Sequence, residues 1–221
     1  MTLKRFFAAL LGCLILAAPA KAQIALSFGW DTGTDKHEMQ GVGVSATTEP
    51  HFSLNTTSRD FSFEVSKRGA LRLGNQSFDL GMTLSHTGPQ TVDARDSPAL
   101  WIAKTDRHAT AETIRALVTA RTTILRDGDM SLELAGSYGF ADNLVRLQEG
   151  DTIYSARDTV PHLVLGLRMV QRLSAKSEFW VEGRYHTSPA VEIDLGGGRT
   201  VGHELSGIGV GFGVTYLFGK E

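Results

Sequence analysis

The chain has 221 residues, 42% hydrophobic and 21% charged, with 22 basic and 24 acidic residues and one cysteine. That size suits one domain, and that apolar content excludes a disordered chain. The formal net charge of −2 leaves no basic excess to meet phosphate, which argues against a nucleic-acid partner.

Residues 1–22 have the pattern of a cleaved signal peptide. Lys4 and Arg5 give a positive start, Phe6 to Ala18 is apolar, and Ala20-Lys21-Ala22 is a small-x-small site before Gln23. The apolar run is shorter than the roughly 20 residues of a spanning helix. Leu10-Leu11-Gly12-Cys13 superficially resembles a lipoprotein box, but Leu14-Ile15-Leu16 continues the apolar run, so Cys13 belongs to it. Removal of residues 1–22 leaves 19 basic and 24 acidic residues, a net charge of −5, and no cysteine to form a disulfide. Such an exported chain suits a bacterial envelope.

The mature chain, 23–221, alternates with a period of two. Ile24, Leu26, Phe28 and Trp30 share one face, followed by Phe61, Phe63 and Val65, then Phe78, Leu80, Met82 and Leu84. Leu132, Leu134, Tyr138 and Phe140 continue the pattern, as do Leu163, Leu165, Leu167 and Met169. Phe179, Val181 and Tyr185 precede the clearest run, in which Ile208, Val210, Phe212, Val214, Tyr216 and Phe218 alternate with glycines and Thr215. Each run has one apolar face and one polar, small or charged face. Several runs reach the roughly 9–11 residues of a bilayer-spanning strand, and aromatics sit at run ends.

The predicted strands are 24–30, 38–48, 52–57, 60–73, 76–86, 112–126, 129–140, 160–173, 177–187 and 204–218, about ten, with eight as the alternative. Short links at Gly74-Asn75, 126–129 and 173–177 alternate with long polar stretches at 87–110, 141–158 and 188–203. This predicts one all-β domain: an antiparallel transmembrane β-barrel with short periplasmic turns and long outer loops.

In signal peptide, alternation and aromatic final strand, the chain resembles the small outer-membrane β-barrels of Gram-negative bacteria. Tyr216-Leu217-Phe218 stands where such chains carry their terminal aromatic, with Gly219-Lys220-Glu221 added after it. The resemblance implies outer-membrane lipid, lipopolysaccharide and the assembly machinery as partners. It selects no oligomeric state and no activity.

By alternation Arg115, Arg121, Glu133, Arg168, Arg172, Glu182, Arg184 and His186 point into the barrel, opposite the glycines of the last strand. Two readings follow. One is a lumen plugged by paired side chains, since eight strands enclose an interior that side chains just fill. The other is a narrow anion-preferring pore, since arginines outnumber glutamates in that set.

Asp31-Thr32-Gly33-Thr34 resembles an aspartic-protease tetrapeptide, but that chemistry needs two carboxylates and only one copy exists, so it is expected to be a turn. Gly196-Gly197-Gly198-Arg199 lacks the lysine and helix of a phosphate loop. No ligand spacing calls for a metal or a cofactor.

One constellation suggests a nucleophile. The segment 183–190, with His186-Thr187-Ser188, resembles the last hairpin of lipid A 3-O-deacylases, although Pro189 stands where that family has asparagine. The resemblance implies Ser188 as nucleophile, His186 as base and Glu204 as the orienting acid, with Glu192 as its substitute. Against this, His186 and Ser188 share the parity of the charged, inward face.

Overall fold

The computed structural model describes residues 23–39, 52–93, 107–149, 151–189, 191–196, 199–203 and 205–219. The proposed signal peptide therefore lies outside the described residues.

Ten strands form: β1 (Ile24–Met39), β2 (Phe52–Leu73), β3 (Gln76–Asp93), β4 (Arg107–Asp127), β5 (Met130–Glu149), β6 (Thr152–Ser174), β7 (Ser177–Thr187), β8 (Val191–Gly196), β9 (Arg199–His203) and β10 (Gly207–Phe218). Eight of them make a closed antiparallel ring in the order β1-β2-β3-β4-β5-β6-β7-β10, with β10 returning to β1. Closure removes every edge within the ring. The ring thus matches the smaller of the two expected counts. The expected strands 52–57 and 60–73 are one strand, β2, and 38–48 lies almost wholly outside the described residues. β8 and β9 form a separate hairpin between β7 and β10, bridged to β1 at His203↔His37.

Tight turns close one end. Leu73 pairs with Gln76, Asp127 with Met130, and Ser174 with Ser177. Gly74 (φ 60°) and Gly128 (φ 57°) adopt the left-handed backbone that two-residue hairpin turns demand. At the other end, the expected loop 141–158 is not a loop. β5 and β6 pair without a register break from Met130↔Gln171 to Glu149↔Thr152. β6 has 23 residues and β5 has 20, about twice what a bilayer crossing requires. β7 and β10, with 11 and 12 residues, span little more than the bilayer.

The apolar side chains face outward. Phe61 is 64% and Ile208 69% exposed, and Leu165, Val210 and Phe212 are also exposed. Trp30 packs on Phe61 and Phe28 on Phe63, both with ring centroids 5.1 Å apart. The alternating partners of these residues are buried inside and are mostly polar or charged. This is the inverse of a water-soluble barrel, and it fits lipid around the ring.

Candidate functional site: the lumen

The inward positions of the ring carry a network of arginines and carboxylates. At the centre Arg121 of β4 grips Glu64 of β2 with both terminal nitrogens, one of them at 2.5 Å. Arg168 Nε lies 2.6 Å from Glu182 Oε2, and its Cζ stands 4.1 Å from the Trp180 ring centroid. Towards the loop end, Asp60 Oδ2 accepts from Arg115 Nη1 at 2.8 Å and from Arg184 Nη2 at 3.2 Å, while Thr87 donates to Asp60 Oδ1 at 2.5 Å. Arg184 also reaches Asp31 Oδ2 at 2.9 Å. Towards the turn end Arg68 meets Asp79 at 3.0 Å, Glu133 at 3.3 Å and Glu178.

The hydroxyls fill the intervals: Thr83 and Thr119 are 2.9 Å apart, and Ser27 and Thr215 2.6 Å. Charged hydrogen bonds in a dry interior are strong, and the loss of one partner leaves a buried charge uncompensated.

The predicted lumen residues Arg115, Arg121, Glu133, Arg168, Glu182 and Arg184 all stand in this network. Arg172 differs: it is exposed at the turn-end mouth, with Nε 3.3 Å from the Ser174 carbonyl oxygen. Sequence reasoning missed Asp31, Asp60, Glu64, Arg68, Asp79 and Glu178. Asp31 is no turn residue, because β1 continues to Met39 and carries it into the lumen. With these acids in place the arginine excess disappears. The seven carboxylates Asp31, Asp60, Glu64, Asp79, Glu133, Glu178 and Glu182 face five arginines, with Arg126 and Arg172 at the mouth to balance them. The expected basis for anion preference is therefore lost.

The space left is small. A central cavity of about 40 Å³ remains among Asp31, Glu64, Arg115, Arg121, Arg168 and Glu182. A wider chamber of about 460 Å³ opens at the turn end, lined by Arg68, Asp79, Arg126, Arg172 and Glu178. Above the network Ala141, Val160 and Leu205 form an apolar cap, with Leu205 only 1% exposed. Beneath this cap the rings of His162 and His186 lie 5.7 Å apart.

The expected nucleophile segment has a structural role here. His186 is 2% and Ser188 7% exposed. The Ser188 hydroxyl accepts the Leu205 N–H at 3.1 Å, and Ser206 donates to the Thr187 hydroxyl at 3.1 Å. Ser188 thus ties the end of β7 to the start of β10. Glu204 lies outside the described residues, and so does the side chain of Glu192.

No protein-family model matches the chain, and no curated protein does. Solved structures do. A major outer membrane protein of Thermus thermophilus superposes with a TM-score of 0.52 at 7% identity, over 89% of this chain and 99% of that one. The outer membrane protein OprG of Pseudomonas aeruginosa gives 0.51 at 10% identity, over 92% and 99%. Neisserial surface protein A gives 0.48 at 12%, over 88% and 99%. Identities this low establish architecture alone: the chain has the fold of the small outer-membrane β-barrels.

Proposed function

We propose that this chain is exported by its signal peptide, inserted by the assembly machinery into the outer membrane of a Gram-negative bacterium, and serves there as a closed barrel. Its role in this reading is structural or in surface interaction, not diffusion. The turn end faces the periplasm and the loop end the outside, in contact with lipopolysaccharide.

The observation that carries the reading is the filled lumen. Four arginines and their carboxylate partners leave about 40 Å³ at the centre. A hydrated ion would have to break buried ion pairs to pass. The surface role draws on the long β5–β6 hairpin, whose ladder continues to Glu149↔Thr152 and carries exposed Ile153, Arg146 and Arg157 beyond the apolar band.

Deacylation of lipid A finds less support in the geometry. An acyl ester lies on the lipid side, whereas Ser188 and His186 are buried on the lumen side and Ser188 already accepts a backbone N–H. Swelling of proteoliposomes in small sugars tests the main reading. Vesicles carrying the protein should swell no faster than protein-free vesicles, and fast swelling would overturn the closed lumen.

A further inference from the structure

The lipid-facing wall of β3, β4 and β5 carries an apolar groove. Its floor is Ala116, which faces outward yet is only 5% exposed. Its sides are Met82 of β3, Val118 of β4, and Tyr138 and Phe140 of β5. The register explains the depth. Leu84 and Phe140 are the direct partners of Ala116, so a methyl group stands between two large side chains. The backbones of β4 and β5 also approach closely here, since a Cβ on Gly139 would stand 2.1 Å from the Ala116 carbonyl oxygen. The groove holds about 140 Å³. An apolar space of roughly 150 Å³ takes a benzene-sized hydrocarbon, so this one takes several methylenes of an acyl chain and touches them on three sides.

Depth along the barrel selects the leaflet. Ala116 stands eleven residues from Asp127, where β4 turns into β5. At about 3.3 Å per residue and a tilt of about 40°, that is roughly 28 Å from the turn end, against a hydrocarbon core of about 30 Å. With the turn end in the periplasm, the groove opens into the outer leaflet, just below its headgroups.

The outward positions beyond Phe140 carry charge. Asp142 follows it on β5, then Leu144 and Arg146, and Arg157 of β6 stands opposite Leu144. Arg146 and Arg157 are exposed diagonal neighbours, near enough to meet one ligand group together. Arg157 touches Asp142 through Nε at 3.4 Å, which leaves its terminal fork for a further acceptor. Glu112 of β4, also opposite Leu144, meets His86 at 2.9 Å. The rim thus offers two guanidinium groups that suit phosphate and carboxylates that accept from sugar hydroxyls.

We propose that groove and rim together bind a phosphorylated, acylated sugar lipid of the outer leaflet, of the lipid A class. One acyl chain lies along Ala116, and a sugar phosphate bridges Arg146 and Arg157. This deepens the surface role above and rests on its orientation.

Dissociation constants for the purified, folded chain in detergent test the site. The probes are lipid A, lipid A stripped of its phosphates, and phosphatidylglycerol. Lipid A should bind roughly tenfold tighter than either of the others, the gain from one charged hydrogen bond or more. Ala116→Phe, which fills the groove, and Arg146→Glu combined with Arg157→Glu should each weaken lipid A binding by a similar factor. Ala120→Phe, on the same face of β4 but outside the groove, should change it less than about twofold. Ala116→Leu takes the place of Ala116→Phe if the heat-modifiable gel shift shows misassembly. Equal affinity for the three lipids, or unchanged affinity in either the groove or the rim variant, overturns the site. Labelling of Ile153→Cys in whole cells by a membrane-impermeant maleimide checks the orientation separately, since the only native cysteine is Cys13. Labelling upholds the orientation, and a failure of lipid A binding then falls on the site alone. Protection in whole cells with reaction in lysed cells puts the groove in the other leaflet and overturns orientation and site together.

Discussion

The Trp180 ring fills the space that a side chain on Gly213 would need. The two residues pair directly across β7 and β10, and Gly213 pairs in turn with Gly29 of β1. A Cβ on Gly213 would overlap both Trp180 Cζ2 and the Phe28 carbonyl oxygen. A Cβ on Gly29 would stand 2.5 Å from Trp180 Cη2. The glycine run of β10 is therefore a floor for large lumen side chains. Trp180 lies on it, and Arg168 stacks over Trp180 in a cation–π contact.

Gly213→Ala should consequently destabilise the barrel by about 3 kcal/mol or block its assembly, because one of the clashing atoms is backbone and cannot rotate away. Gly183→Ala, where a Cβ meets nothing within 4 Å, should change stability by less than about 0.5 kcal/mol. Urea unfolding from lipid vesicles, with the heat-modifiable gel shift as a check of assembly, separates the two.

Glu64→Leu alone leaves Arg121 buried without its bidentate partner, and should cost about 3–5 kcal/mol. The double variant with Arg121→Met should recover most of that loss, because an apolar pair of similar volume replaces the ion pair. A double-mutant cycle by urea unfolding measures the coupling. Asp142→Asn removes the partner of Arg157, whose side chain is largely exposed, and should cost at most about 1 kcal/mol.

Ser188→Ala removes the acceptor of the Leu205 N–H and should cost about 1 kcal/mol of stability. It should leave lipid A unchanged. Mass spectrometry of lipid A from cells with the native gene, with Ser188→Ala, and with no gene should give one acylation pattern. Loss of a 3-O-linked chain that depends on Ser188 would favour the deacylase reading instead.

The apolar band was legible in the sequence because lipid on one side and a polar interior on the other impose a strict period of two. Leu163 to Met169 and Ile208 to Phe218 are read directly from it. The signal fades wherever the strands leave the bilayer. Residues 141–158 mix polar and apolar residues on both faces there, with no clean alternation, and look like a loop, although β5 and β6 pair throughout. Asp31 was misplaced for a related reason: Asp-Thr-Gly has turn chemistry, but pairing with β2 and β10 holds it in extended backbone. The arginines of the lumen were visible, whereas Asp60 sits just after the polar run Asn55 to Arg59, before the alternation of Phe61, Phe63 and Val65 begins, and Glu64 stood on the polar face of that alternation with its partner, Arg121, far away in sequence. Ser188 stood out by its neighbours in sequence, whereas its hydrogen-bond partner, Leu205, comes from the far side of a hairpin.

The filled lumen is tested most directly by planar-bilayer recording of the purified, folded protein at neutral pH. A lumen closed by these ion pairs should give no steady current in the wild-type chain, and measurable conductance once Arg168→Ala and Trp180→Ala are combined to clear the centre. A steady wild-type current, whatever its ion selectivity, would contradict it.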